Sequence, residues 1–456
     1  MYESKYIINP TTLFLFLLPW LATSHAPPTP PTRSSVLHSI QSATAAALQN
    51  QYPSGQAKCD YHLLHGHWYD YEQIWHTGQL ASGLMAAHKV LPTSFLNRSR
   101  TPSLTKAAIL AGEWWISQAS TSPPTFGLIQ SIDTIEQGHG CITDACGPTE
   151  DLTDITDGSH SMFQLSALTM DPKYANAASV SASWQLNHMQ TSTPGLYWNV
   201  INTSTGQVIP SSGTRSNIEG SIFLDACLHT KNHSFCAAFL DQADYTVAQQ
   251  NNGVWMQWPP NDNTTGRFHP RFNTWYALAL LDAANHTAAT DVKRSDVYVA
   301  AAMKTAKVMQ AAQQHSGTIY YWNTFNSTNS SIVIPEKNAV CGSAVSVALQ
   351  LWLRLFQLGY HDFDRNIVAS VQWLIMNQYT STHPDVNLAG SFLELGFRKL
   401  VHWTNGAAVH ELDVVQRDLA TNTGLQGMSE YLDMCQNRQT KGWEVLCSAT
   451  GNAIHS

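Results

Sequence analysis

Apolar residues recur at helical spacing along most of the chain. Leu80, Leu84, Ala87 and Leu91 share one face of one segment, and Val345, Leu349, Trp352, Leu353 and Phe356 share one face of another. This is the rhythm of helices with a buried side. Segments of this kind from Ser34 onward number about twelve. A landmark punctuates them: a helix end bearing an apolar or aromatic residue and a glutamine, followed by a Gly-containing loop. It occurs at Trp115 to Gln118, Trp184 to Gln190, Tyr245 to Gln250, Met309 to Gln314 and Trp373 to Gln378. Successive terminal glutamines are 72, 60, 64 and 64 residues apart. A period that long is one helical hairpin with a decorated loop, not a short solenoid repeat. Six hairpins closed in a ring predict an all-α fold, an (α/α)6 toroid with inner helices nearly apolar all round. The loops, such as STPGLYWNVINTSTGQVIPSSGTRSN and HSGTIYYWNTFNSTNSSIVIPEKN, join Gly turns to β-prone aromatic runs and predict short β-hairpins gathered at one rim around a cavity.

The first residues break this pattern. The apolar run Leu13 to Leu18 with Trp20 to Ala22 is too short to span a bilayer comfortably and reads as a signal peptide over 1–26, with the mature chain starting between His25 and Pro27. A Pro-rich leader over 27–34 follows, and 35–456 reads as a single toroid domain. No later stretch predicts a membrane span. Seven Asn-x-Ser/Thr sequons, at Asn97, Asn202, Asn232, Asn263, Asn285, Asn326 and Asn329, fit N-glycosylation of a secreted, extracellular protein. The eight cysteines are then expected to form disulfides, with Cys141 and Cys146, Cys227 and Cys236, and Cys435 and Cys447 as close candidates. Their spacings form no zinc pattern, so no metal is expected.

A net charge of −8 without a basic cluster argues against nucleic acid as a partner. Only 12% of residues are charged, whereas Trp and Tyr number 15 and 16. That balance suits stacking on and hydrogen bonding to neutral or weakly anionic sugars. The chain has no Gly-rich phosphate cradle, Ser nucleophile elbow or metalloprotease helix, and no cofactor is expected.

Asp154 and Asp157 are three positions apart, so on a helix they share a face near the positive end of its dipole. One reading makes them a cap and a solvated turn. The other makes one of them a proton donor kept protonated by its neighbour, with Glu72 a further candidate. In Gly266-Arg-Phe-His269-Pro-Arg271, guanidinium forks suit the carboxylate of a uronic acid, or pair with a structural acid. Trp75, Trp198 and Trp255 are candidates for sugar subsites, and His76 for a ligand contact or a satisfied core position.

The stretch Asp154 to Asp157, then Asp171-Pro-Lys-Tyr174 and Gly195-Leu-Tyr-Trp198, resembles glycoside hydrolase families 88 and 105, the unsaturated uronyl hydrolases. The resemblance places Asp157 at the family's catalytic Asp. It continues through Arg215-Ser-Asn217, similar to an Arg-Gly-Asn turn, and Gly253-Val-Trp255. It implies an oligosaccharide or polysaccharide substrate, including uronic-acid-containing chains, whose C4=C5 double bond is protonated while water adds at C5. The chain departs from the family where Gln73 stands near a second acidic position and where Ile218-Glu219 follows the Arg-Ser-Asn turn. Three rivals remain open on the same toroid: an α-mannanase-like hydrolase, although no Asp-Asp pair occurs; a polysaccharide lyase; and a carbohydrate-binding toroid that has lost its catalytic acids.

Overall fold

The computed structural model describes residues 29–63, 66–68, 74–92, 95, 103–121, 127, 149–198, 200–202, 205–208, 214–215, 222–251, 253–255, 267–326, 329–404, 407–417, 419–437 and 442–447. The signal-peptide assignment lies outside them. Twelve helices longer than one turn occur among the described residues: α1 Arg33–Gln49, α2 Ile74–Val90, α3 Leu104–Ser117, α4 Leu152–Thr169, α5 Lys173–His188, α6 Ile222–Thr230, α7 His233–Gln249, α8 Pro270–Thr287, α9 Val292–Ala312, α10 Gly342–Gln357, α11 Asp364–Met376 and α12 Leu419–Asn437. A single turn, α13 Trp443–Leu446, follows. Thr32 caps α1 by accepting from the Ser35 amide, so the helix takes up the end of the Pro-rich leader.

Even-numbered helices are inner and odd-numbered helices outer. Pairs α2–α3, α4–α5, α6–α7, α8–α9 and α10–α11 are consecutive in the chain, whereas α1 packs on α12. The sixth hairpin thus joins the two ends of the domain, and the packing of α12 on α2 closes the ring. The apolar stripes read from the sequence are core: Leu80, Leu84, Val345, Leu349, Trp352, Leu353 and Phe356 are all fully buried.

Inner helices pass to outer ones mostly through short turns, as at 170–172 and 231–232. Outer helices pass to inner ones through long loops, so the strands gather on the rim where the inner helices begin. There β1 Asp60–His62, β2 His67–Trp68, β10 Leu395–Thr404 and β11 Ala407–Arg417 form an antiparallel sheet in the order β10-β11-β1-β2. β7 Arg267–Phe268, β8 Tyr320–Asn326 and β9 Asn329–Val340 form another, while β3 Thr149–Asp151 pairs with β5 Val200–Asn202 and β4 Tyr197–Trp198 with β6 Thr214–Arg215. The β8–β9 hairpin continues beyond its aromatic run into polar residues, and the β10–β11 hairpin lies in a segment the sequence did not mark as a rim loop.

The recurring glutamine has a mechanical role. Gln250 Nε2 donates to Ala301 O at 2.9 Å and to Thr305 Oγ1 at 3.0 Å on the next outer helix. Gln378 reaches Ser39 O on α1, and Gln51 reaches Ala107 O on α3, both at 2.9 Å. The fourth of these clamps is Gln313, not Gln314: its Nε2 donates to Ser370 Oγ at 2.8 Å and its Oε1 accepts from Asn366 Nδ2 at 2.8 Å. Among the described residues, Gln118 bonds within its own helix end. The following glycine lets the turn approach. Gly195 has φ of +75°, and a Cβ there would lie 2.0 Å from Asp241 O. Gln313→Ala removes both clamp bonds between α9 and α11 and is expected to cost about 2 kcal/mol. Gln314, bonded locally to Ala312 O, should tolerate Ala within about 0.5 kcal/mol, and urea midpoints compare the two.

Disulfides join Cys227 to Cys236, tying α6 to α7, and Cys435 to Cys447, tying α12 to the segment after it. These are two of the close pairs expected from spacing. Cys141 and Cys146 lie outside the described residues. Among the described residues Cys227, Cys236 and His286 form one cluster of potential metal-ligand atoms, and the disulfide accounts for its two sulfurs. No helix among the described residues is long and apolar enough to cross a membrane.

Candidate active site at the inner-helix rim

The rim is defined by where inner helices start. Helices α2 and α4 approach so closely that a Cβ on Gly78 would lie 2.3 Å from the Cα of Gly158. Only two glycines allow this contact, and it sets the second turns of the two helices side by side. α4 begins at Leu152, earlier than a cap at Asp154 would require. Asp154 is therefore in its first turn and Asp157 in its second. The strand just before α4 is anchored by β5, with Thr149, Glu150 and Asp151 opposite Asn202, Ile201 and Val200. The side chains of Asp154 and Asp157 are outside the described set, as is Glu72, which precedes α2.

Trp75 and His76 sit in the first turn of α2 and are buried. Arg271 sits in the first turn of α8, opposite α2 in ring order. Its guanidinium carbon lies 5.4 Å from the Trp75 ring, 4.9 Å from Phe272 and 5.4 Å from Trp275. Side chains from opposite walls thus meet across the bore. Arg271 Nη1 also donates to Ser343 Oγ at 3.2 Å and lies 3.5 Å from Glu394 Oε1. Arg271 is 2% exposed and Glu394 is not exposed at all. A second hydrogen bond holds the carboxylate, from the Ser343 amide to Glu394 Oε2 at 2.8 Å, at the start of α10 where the dipole favours an anion. Beside it, burial and then the Glu394 carboxylate push the Cys341 thiol up to about 12, so it is a protonated thiol at neutral pH and no nucleophile.

His269 caps α8, its Nδ1 accepting from the Arg271 amide at 3.2 Å. Its ring meets Tyr321, Phe272 and Trp322 edge-on at 4.3, 4.9 and 5.2 Å. Trp255 is a core residue. Its indole N–H donates to Thr246 O, and Asn273 pins its backbone to α8 from both sides. Trp198 is half-buried, and the register of β4 and β6 sets Tyr197 opposite Arg215 and Trp198 opposite Thr214. That places Trp198 and Arg215 on one two-stranded ribbon. The structure therefore groups Trp75, His76, His269 and Arg271 around the axis, tethers the Asp154 and Asp157 positions beside Trp75, and sets Trp255 apart in the wall.

Of the sequons, Asn232 is exposed and caps α7 by accepting from the Ser234 amide. Asn285 is exposed on α8, while Thr287 of the same sequon is buried and donates to Ala283 O. Asn202, Asn326 and Asn329 lie on β5, β8 and β9, and Asn97 and Asn263 lie outside the described residues.

Sequence reasoning missed Glu394, the residue that neutralises Arg271. The signal available was a single acid inside the apolar run Ser391-Phe-Leu-Glu-Leu-Gly-Phe397, where a charge requires a buried partner.

No protein family's sequence profile matches the chain, and no curated protein matches it in sequence. Solved structures do match in shape. An unsaturated glucuronyl hydrolase specific for heparin aligns at TM-score 0.57 and 11% identity over 88% of this chain and 98% of its own. The unsaturated glucuronyl hydrolase of Bacillus sp. GL1, responsible for glycosaminoglycan degradation, aligns at 0.56 and 13% over 90% and 98%. Cellobiose 2-epimerase from Bacillus thermoamylovorans B4167 aligns at 0.62 and 9% over 88% and 98%. The chain is thus a divergent six-hairpin toroid, similar in fold to the unsaturated glucuronyl hydrolases of glycoside hydrolase family 88 and to other toroid proteins such as this epimerase.

Proposed function

We propose that the protein is a secreted glycoside hydrolase of the unsaturated uronyl hydrolase kind, acting on anionic oligosaccharides at the inner-helix rim. The observation that carries this reading is the Gly78–Gly158 contact. It brings the start of α2 against the turns of α4 that hold Asp154 and Asp157. Two acidic positions on successive turns of one helix, beside an aromatic floor, suit proton donation to a sugar. The converging positive ends of the inner helices suit a uronate.

In this reading Asp157 gives its proton to C4 of the unsaturated sugar. Water adds its oxygen at C5 and returns a proton to the carboxylate. Asp154 or Glu72 holds Asp157 protonated by like-charge repulsion. Trp75 and the buried Arg271 form the floor, and Trp198 flanks the entrance on the ribbon that also carries position 215, with Arg215 assigned to substrate binding, and His76 and His269 hold the two helix starts. Trp255 braces the wall behind them. N-glycosylation at exposed sequons such as Asn232, together with the two disulfides, fits an extracellular life.

The test is a screen of unsaturated oligosaccharides from pectin, glycosaminoglycan and glucuronan, read as loss of ultraviolet absorbance with product analysis. Turnover on one class names the substrate. Epimerised sugar, new unsaturated ends, or binding without turnover would each replace the hydrolase with an epimerase, a lyase or a binding toroid.

A further inference from the structure

Below the rim floor the bore turns polar. His160 on α4, Asp225 on α6, Asp282 on α8, Arg354 on α10 and Glu430 on α12 interact across it. Their side chains are 48%, 13%, 33%, 44% and 28% exposed, although they lie on inner helices whose outward faces are packed. Solvent reaches them inside the ring. Arg354 Nη1 is 2.6 Å from Asp282 Oδ1, and its Nε is 4.0 Å from Glu430. On the other side a continuous chain runs through three neighbouring inner helices. Ser82 Oγ on α2 donates to Gln164 Oε1 at 3.3 Å, Gln164 Nε2 lies 2.8 Å from His160 Nε2, and His160 Nδ1 lies 2.8 Å from Asp225 Oδ2.

This chain has a property that ordinary packing does not require. With neutral His160, Nδ1–H donates to Asp225 and Nε2 accepts from the Gln164 amide. With His160 protonated both ring nitrogens donate, so Gln164 turns its amide, offers Oε1 to the ring and donates from Nε2 to Ser82 Oγ. A hydroxyl can donate or accept, so every bond survives. The protonated form adds a charge-assisted bond between α4 and α6. His160 is three positions after Asp157 on α4.

We propose that Ser82, Gln164, His160 and Asp225 act as one strap across α2, α4 and α6 that positions the turns of α4 carrying Asp157, and that the strap is tightest when His160 is protonated. His160 is a positioning residue here, and its role at the site rests on the reading of Asp157 given above. The groups facing it support the direction. The Asp225 carboxylate on α6 is the largest influence and raises the imidazole above its ordinary 6.5, burial opposes it, Asp282 on α8 adds to it, and Arg354 on α10 counters in part. α2 presents uncharged Ser82. α3 approaches α4 at Gly112, against Leu165, where Tyr174 of α5 also packs, and the nearby Glu113, Lys173 and Asp171 pair among themselves. Because the folded value is raised, the added stabilisation is fully present below the ordinary value and is lost as pH rises through the raised one.

Hydrogen exchange of the α4 amides, at about pH 5 and about pH 9 with intrinsic rates corrected, tests this on the full chain. In the parent, protection of the first turns of α4 relative to α11 is expected to fall on the order of tenfold across that range. Asp225→Asn, which keeps a hydrogen-bond acceptor but removes the charge, should abolish most of that pH dependence, and labelled His160 should titrate nearer its ordinary value. His160→Gln should give a flat profile. A parent profile that is already flat, or an Asp225→Asn protein that retains the slope or loses protection equally in α11, overturns the strap. The measurement needs no substrate. If Asp157→Asn proves fully active while the slope is present, the catalytic reading fails and the strap stands. If Asp157→Asn is inactive and the slope is absent, the strap alone fails.

Discussion

Glu394→Gln is expected to lower the stability of the folded chain by about 3–5 kcal/mol, the usual cost of removing one partner from a buried ion pair. Glutamine is close in shape, and its carbonyl oxygen can still accept from the Ser343 amide that Glu394 Oε2 receives at 2.8 Å. What the substitution removes is the negative charge facing Arg271, 3.5 Å away and equally buried. A guanidinium cannot escape by losing its proton. The rings of Trp75, Phe272 and Trp275 at 4.9 to 5.4 Å supply cation–π attraction on the order of 2 kcal/mol when desolvated, but the parent already has it, so it does not replace the missing carboxylate. The comparison that isolates charge is the paired replacement Arg271→Met with Glu394→Leu, which should recover part of the loss because no charge is left unpaired, although the Ser343 amide then lacks the acceptor that Glu394 gave it, at a cost of about 1–3 kcal/mol. Urea midpoints at constant slope measure all three proteins. A Glu394→Gln protein as stable as the parent would show that the aromatic faces alone satisfy the cation, and that the floor of the bore does not depend on the ion pair.

The ring was legible in the sequence because its period is written in residues with mechanical duties. Gln250 and Gln378 recur at the ends of outer helices because each clamps the next outer helix, and the glycine that follows recurs because any side chain there would strike that helix. Spacing alone could not show that Gln313 makes the clamp rather than Gln314, since both end the same run and only the turn to Gly317 decides which one faces α11. The closing hairpin was harder to see. Its members, α1 and α12, are the two ends of the domain, and no local pattern records that they meet. That Asp154 and Asp157 share one helix was legible from their spacing. The Arg271–Glu394 pair and the His160–Asp225 pair were not, because their partners are 123 and 65 positions apart in the chain. A buried acid in an apolar strand region announces that a cation is needed, but not which one.

Asp157→Asn is expected to leave a folded protein whose turnover falls on the order of a hundredfold or more, equivalent to about 2.7 kcal/mol of lost transition-state stabilisation. The substitution separates chemistry from structure because of where Asp157 lies. α4 starts at Leu152, so position 157 is in the second turn and has no capping duty for Asn to inherit or lose. Asp and Asn have similar helix propensities, so the fold should change by only a few tenths of a kcal/mol. The amide keeps the size and a hydrogen-bonding capacity of the carboxyl but has no proton that can be given to a sugar and taken back from water. KM should therefore stay within a few fold while kcat collapses, the pattern of a group that acts in the transition state more than in binding. Asp154→Asn provides the contrast. If Asp154 serves only to hold the proton on Asp157, its replacement should leave substantial activity and shift the pH profile toward acid, because the neighbouring charge that raises the donor's pKa is gone. Full activity in a well-folded Asp157→Asn protein would falsify the assignment, and a collapse in Asp154→Asn alone would move the donor one turn toward the helix start.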